Sequence, residues 1–272
     1  MHRKIIHGID IAYRLSGEVN SPSVLLIHGF TGSHRNWAFT ARALNEVGWL
    51  TLTPDNPGHG VSEAPQAPDA YSMASVAHLL HQLAEELHVL PAVVIGHSLG
   101  GAIAERFALS FPDSVRGLVL VGSAGGATGP DRQANAAHLP ALEEAFQRGG
   151  MKAVFDTQIE LGLRRYPENF SSLMLTLHRR EFAKTSWEGF RFAGRALRLR
   201  KETLSGLTQW QKPTLIVHGE KEYPNLVSVA DDLEKTIPQA QREIIPGSGH
   251  NPQIESPQAF NRVLLKFLQN RF

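Results

Sequence analysis

Short apolar runs separated by helix-length amphipathic stretches fill most of this chain, and that alternation restricts its fold more than any other feature. The runs VLLI (24–27), WLTLT (49–53), VVI (93–95), VRGLVLV (115–121), TLIV (214–217) and REII (242–245) lack polar alternation. Such runs indicate strands covered on both faces. The opening KIIHGIDIAYRL (4–15) predicts a hairpin turning near Gly8. Between the strands lie helical patterns. In SMASVAHLLHQLAEEL, residues Met73, Val76, Leu80, Leu83 and Leu87 share one face. Ser256 and Pro257 make an N-cap and first-turn pair ahead of Phe260, Val263, Leu264, Phe267 and Leu268. Strand–helix alternation implies a mostly parallel, doubly wound α/β sheet of about eight strands with right-handed crossovers.

The alternation breaks once. From 128 to 212 no strand run appears, and the stretch is helical in composition. The expected organisation is therefore a core of residues 1–127 and 213–272 with a helical cap insertion, 128–212, over one end of the sheet. The PQAP-containing loop 62–71 is expected to be exposed.

Composition removes several function classes. With a net charge of +1 the chain offers no general electrostatic case for nucleic-acid binding. It has no cysteine, which excludes disulfides, thiolate catalysis and cysteine-ligated metal sites. The first residues, MHRKIIHGIDIAYRLSG, carry no apolar stretch of signal-peptide length, and no segment reaches transmembrane length. The expectation is a cytoplasmic protein without a membrane partner.

One strand leads directly into a nucleophile motif. Gly96-His97-Ser98-Leu99-Gly100 fits G-x-S-x-G, following a strand and opening a helix. At such a turn the serine sits in strained backbone, its hydroxyl raised at a helix N-terminus where amides favour negative charge. A hydroxyl needs a base, and the base needs an orienting acid, in the chain order Ser, acid, His. The histidines after Ser98 are His138, His178, His218 and His250. His250 lies in a loop between the last strand and the last helix, placed to hang over the carboxyl edge of the sheet. His218 ends a strand and reads as packed. Two carboxylates, Glu220 and Glu222, follow the strand 214–217, and residue physics alone does not choose between them. Earlier, LLIHGFTGS (25–33) ends a strand at a glycine turn. There the Phe30 amide can pair with that of Leu99 to hold an oxyanion.

At HGFTGSHRNW, PDNPGHGVSE, GHSLGG, FPDSVRGLVLVGSAG, LIVHGEKE and GSGHNPQIESPQAF the chain resembles the α/β-hydrolase superfamily. These motifs occur in the family's order and cover nearly all of the chain outside 128–212, where the family carries its cap. The resemblance implies a serine hydrolase with Ser98 as nucleophile, His250 as base, and Phe30 and Leu99 as oxyanion donors. The family's acid stands three residues after a glycine, which counted from Gly219 is Glu222, where the family usually has Asp. His59, Ser62 and His97 match structural or pocket-lining positions. Implied is a carboxylesterase-like enzyme acting on a small-molecule ester or lactone, with no cofactor or metal. The alternatives are a lyase of the SHCHC-synthase type, a carbon–carbon bond hydrolase, and a non-catalytic ligand-binding use of the fold. The synthase branch usually has arginine where this chain has Ala102. Residues 128–212 hold fourteen Lys and Arg against nine Asp and Glu, together with Phe155, Phe170, Phe182, Trp187, Phe190 and Phe192. This reads either as a solvated helix face or as a site drawing substrates with a carboxylate beside an apolar or aromatic group.

Overall fold

A computed structural model describes residues 1–125, 137–166, 170–200 and 203–272. Eight strands form one sheet: β1 (His2–Ile6), β2 (Ile9–Ser16), β3 (Ser23–Ile27), β4 (Leu50–Pro54), β5 (Ala92–His97), β6 (Val115–Val121), β7 (Thr214–Gly219) and β8 (Gln241–Ile245). Their spatial order is β1-β2-β4-β3-β5-β6-β7-β8. The β1–β2 and β2–β4 pairs are antiparallel, and all pairs from β4 to β8 are parallel.

The central strands lack polar alternation because helices cover both faces. On β3, Leu25 and Ile27 join one apolar cluster, while Val24 and Leu26 join the other. On β5, Ala92 and Val94 divide from Val93 and Ile95 in the same way. The first face packs against α2 (Met73–Glu86) and α3 (Leu99–Ser110), through Val76, Leu80, Leu83, Ile103 and Phe107. The second packs against α1 (Ala38–Glu46) and, from the C-terminal part of the chain, the helix Pro257–Arg271, through Leu44, Phe260, Leu264, Phe267 and Leu268. Fully burying each of these side chains contributes about 1.5–3 kcal/mol.

The structure adds detail to two local expectations. Ser256 does occupy the N-cap position of the last helix, but its side chain makes no capping hydrogen bond. Its backbone (φ −140°, ψ 58°) instead turns the chain out of a preceding one-turn helix, Pro252–Glu255. The loop 62–71 is largely exposed but anchored at its end: Pro68–Tyr71 forms a 3₁₀ turn, and Tyr71 is buried with its hydroxyl donating to Pro65 O at 2.9 Å.

Between β6 and β7 the described residues contain only helices: α4 (Leu139–Glu160), α5 (Ser172–Phe182), α6 (Trp187–Leu199) and α7 (Leu204–Leu207). Non-helical backbone at Gly149 and Gly150 (φ 64°) bends α4 into two segments. Ser171 and Ser186 cap α5 and α6 by accepting from the amides of Met174 and Gly189. This insertion has its own apolar cluster of Leu142, Ala145, Met151, Val154, Phe155, Phe182 and Phe190, and Phe30 of the core packs against it. After β7 come α8 (Pro224–Thr236), α9 (Pro252–Glu255) and α10 (Pro257–Arg271). Position 128, the expected start of the insertion, lies outside the described residues, as do Asp131, Arg132, Glu168, Lys201 and Glu202.

Candidate active site

The parallel strands point their carboxyl ends at one edge of the sheet, and the candidate residues converge there. β5 ends at His97 and α3 begins at Leu99, leaving Ser98 alone to turn the chain, at φ 53° and ψ −114°. A non-glycine residue there costs about 1–3 kcal/mol and persists only where its surroundings hold it. Here the Ser98 amide donates to Val121 O at 2.9 Å, and its carbonyl accepts from Gly101 and Ala124. The flanking glycines are obligatory. A Cβ at Gly96 would lie 2.1 Å from Gly100 O, and one at Gly100 would lie 2.2 Å from Ile27 O. Ser98 retains 8% exposure.

The histidine and one of the two glutamates meet. His250 Nδ1 lies 2.9 Å from Glu222 Oε1 and 3.0 Å from Oε2. The Glu222 side chain is fully buried and that of His250 is 19% exposed. Glu222 Oε1 also accepts from the Tyr223 amide at 2.8 Å, and the Tyr223 ring stands edge-on to His250 at 5.4 Å. The site leaves no slack, since a Cβ at Gly122 (φ +47°) would come within 2.6 Å of Glu222 Oε2. Glu220 does something else: its exposed carboxylate accepts from the Gly247 amide at 2.8 Å and shapes the turn after β8. His218 is buried, with Nδ1–H donating to Gly219 O and Nε2 accepting from Arg242.

His97 joins the serine to the histidine loop. Its Nε2–H donates to His250 O at 2.8 Å, and the two rings are 4.8 Å apart. Burial, and then the neighbouring His250, hold His97 well below the usual histidine range, so it stays neutral. The Ser98 hydroxyl is not hydrogen-bonded to His250 Nε2, a contact that unliganded sites commonly leave long. A residue that sequence reasoning passed over fixes the loop itself. Glu255 accepts from the amides of Gly249 (2.5 Å) and Asn251 (3.1 Å) and from the Ser248 hydroxyl (3.2 Å). No motif points to it; only the closed loop reveals its partners.

The loop after β3 presents Phe30. Among the described residues, the amides of Phe30 and Leu99 have no hydrogen-bond partner. Buried polar residues brace this loop. His28 donates from Nδ1 to Gly29 O at 2.8 Å and accepts at Nε2 from the Asn56 amide at 2.9 Å. Burial pushes His28 below its ordinary pKa and takes His59 down to about 3. Asp55 is held together by contacts across two loops: Oδ1 accepts from the His34 amide and ring, and Oδ2 from the Val61 amide. Burial opposes its charge, but the hydrogen bond from His34 and the nearby histidines leave its carboxyl below the usual range. Ser62 donates to Asp55 O and accepts from the Ala12 amide.

The insertion reaches this loop directly. Phe190 stacks on Phe30 at 5.3 Å, Arg164 Nη2 donates to Thr31 Oγ1 at 2.9 Å, and Ser33 donates to Glu181 at 3.1 Å. Gly58 and Gly189 meet so closely that a Cβ on either would strike the other's backbone within 2.6 Å. The positive charge of the insertion is partly neutralised inside it, because Arg179 pairs with Asp156 and Lys184 with Glu181. His178 faces the same small space as Gly29, Thr31 and His97. Burial, then the charge of Arg164, lower it to about 4. A wider cleft of about 430 Å³ lies behind Ala102, bordered by Met73, Arg106, Phe192 and Arg195, and none of the candidate site residues lines it. Among the described residues no cluster of His, Asp and Glu could hold a metal ion, and no helix is long and apolar enough to cross a membrane.

A serine elbow at the carboxyl edge of an eight-stranded sheet, with a histidine–carboxylate pair beside it, defines a class. The chain belongs to the alpha/beta hydrolase fold family, which it matches over residues 22–257. It is 26% identical over 280 residues to a putative 2-succinyl-6-hydroxy-2,4-cyclohexadiene-1-carboxylate synthase of Bacillus subtilis, covering 96% of this chain and 95% of that protein. It is 28% identical over 285 residues to the sn-1-specific diacylglycerol lipase ABHD11 of Mus musculus, covering 97% and 86%. In fold it is similar to the enol-lactonase of Burkholderia xenovorans LB400, with a TM-score of 0.85, 22% identity, and coverage of 98% and 100%.

Proposed function

We propose that this protein is a serine hydrolase of carboxylic esters or lactones, with residues 128–212 capping its site. The observation that carries the reading is the buried Glu222 carboxylate against His250 Nδ1, at 2.9 and 3.0 Å, next to the strained Ser98 turn. With Nδ1 committed to Glu222, Nε2 is the nitrogen left to take the Ser98 proton. Ser98 Oγ attacks the substrate carbonyl as His250 accepts that proton. The Phe30 and Leu99 amides receive the oxyanion. The tetrahedral intermediate collapses, His250 returns the proton to the leaving alkoxide, and an acyl-enzyme remains. Water, deprotonated by His250, then frees the acid and restores the serine. Every proton in this cycle is carried by His250, so these steps call for no cofactor.

A synthase-type lyase uses the same residues, and the Bacillus subtilis relative favours that second reading, whereas Ala102 stands where that branch usually has arginine. One experiment separates the possibilities. One sample is treated with a fluorophosphonate probe, and a separate untreated sample is offered a panel of esters, lactones and thioesters with product analysis. Hydrolysis with labelling of Ser98 supports the proposal. Elimination without hydrolysis would favour the lyase. Absence of labelling would point to a non-catalytic binding role.

A further inference from the structure

A cavity of about 180 Å³ lies where the insertion meets the Phe30 loop. Its walls combine apolar surface from Phe30, Phe190 and Leu142 with the guanidinium groups of Arg164, Arg191 and Arg198. These three arginines differ from their neighbours. Arg179 and Lys184 pair with carboxylates, but among the described residues no carboxylate lies within ion-pair distance of Arg164, Arg191 or Arg198. Arg164 instead donates to Gln158 and Thr31 and lies over the rings of Phe155 and Phe182, at 5.6 and 5.0 Å. Arg191 rests over Phe192. Arg198 is half-buried, and burial together with nearby Arg195 disfavours its charge.

Charged groups withdrawn from water are normally paired. Arg164 and Arg198 are partly buried and Arg191 is exposed at the rim; three guanidiniums without a carboxylate partner lining one cavity make a site that an anion completes, and the planar guanidinium fork matches a carboxylate. The cavity holds about six water-sized groups at ~30 Å³ each. That is room for a short chain of three methylenes ending in a carboxylate. Ser98 and His250 do not line the space, but Phe30, whose amide is the proposed oxyanion donor, forms part of its wall and links the two.

We infer that the cavity between Phe30, Phe190 and Arg164, Arg191 and Arg198 is an anion-binding subsite that takes the carboxylate end of an ester or lactone substrate. The bond to be cleaved rests on the hydrolase reading, whereas the anion subsite does not. It is also local, and so distinct from a general attraction by the positive insertion.

The test uses two anionic esters, monoethyl glutarate and 4-acetoxybutanoate, which place the carboxylate on the acyl and on the alcohol side. Each is compared with its neutral primary-amide isostere at low salt. At least one anionic ester is expected to exceed its isostere in kcat/KM by about tenfold or more. That ratio collapses towards one in Arg198→Gln, is partly kept in Arg198→Lys, and is unchanged in Arg180→Gln, an exposed arginine of α5 away from the cavity. A ratio near one for both esters in the parent protein, or one that persists in Arg198→Gln and Arg164→Gln, would overturn the inference while leaving the hydrolase reading in place. If no ester is hydrolysed and Ser98 is not labelled, the hydrolase reading fails, and calorimetry decides the subsite. Monoethyl glutarate or 4-acetoxybutanoate should then bind the Ser98→Ala protein and bind at least tenfold more weakly when Arg198→Gln is added. Absence of binding by both would overturn the subsite as well.

Discussion

Replacing Glu222 by Gln removes one charge and little else. The amide has nearly the shape of the carboxylate, so the tight contact with Gly122 and the bond from the Tyr223 amide are conserved. What disappears is the negative charge 2.9–3.0 Å from His250 Nδ1, in a side chain with no solvent exposure. During acylation His250 becomes an imidazolium facing that position. Two charges about 4 Å apart interact by about 4 kcal/mol at an effective dielectric constant of about 20. At about 1.4 kcal/mol per decade this is about a thousandfold in rate. The Gln amide can also donate to Nδ1 and trap the wrong tautomer, which adds to the loss. The assay is kcat on any ester the protein turns over, beside circular dichroism to show the fold is kept. Glu220→Gln is the control. Its exposed carboxylate serves one turn amide, and its loss should change kcat by no more than about threefold. Equal losses in the two variants, or more than a tenth of parental kcat in Glu222→Gln, would refute the assignment.

Three other expectations follow from the same geometry. Ser98→Ala should lower kcat by about a thousandfold or more while urea unfolding stays within about 1 kcal/mol of the parent. Gly100→Ala should cost more than about 3 kcal/mol in the same unfolding assay or prevent folding, because its Cβ would meet rigid backbone at Ile27 O and His28 O, 2.2 and 2.6 Å away. Acid should destabilise the protein well above the carboxylate range. His59 is buried neutral with its pKa pushed down to about 3, so below the ordinary value of about 6.5 the unfolded chain binds a proton that the folded one refuses. Stability from this group is complete above about pH 6.5 and falls by about 1.4 kcal/mol per pH unit towards pH 3. His28 and His97 act in the same direction. Unfolding at pH 6.5 and 4.5 measures the loss, and an equal loss in His59→Gln would remove His59 as a source.

The sheet was legible because its chemistry is local. Val24 to Ile27 and Ala92 to Ile95 are apolar without interruption, since neighbouring side chains enter different clusters that are both dry. The serine turn was legible for a related reason: Gly96 and Gly100 are demanded by contacts that no other residue tolerates. Glu222 was less so, because the choice over Glu220 depends on where a loop closes on His250, and only the offset from Gly219 hinted at it. Glu255 carries no local signature at all, as its partners at 248–251 become acceptable only once the short α9 turns back on them. The charge of the insertion was visible as a sum, but its division into paired Arg179 and Lys184 and unpaired Arg164, Arg191 and Arg198 depends on tertiary contacts.

The bond from His97 to His250 O spans 153 residues. A ribosome adding ~5–20 residues per second needs roughly eight to thirty seconds to pass from one to the other. Throughout that interval the growing chain carries its serine without the partners that would activate it. The sheet, too, is incomplete until β7 and β8 have followed, and Phe260, Leu264, Phe267 and Leu268 come later still to close its second face. Under the proposed chemistry, the nascent polypeptide is therefore chemically silent towards cellular esters, and competence arrives only near the end of synthesis. Chain order alone imposes the delay.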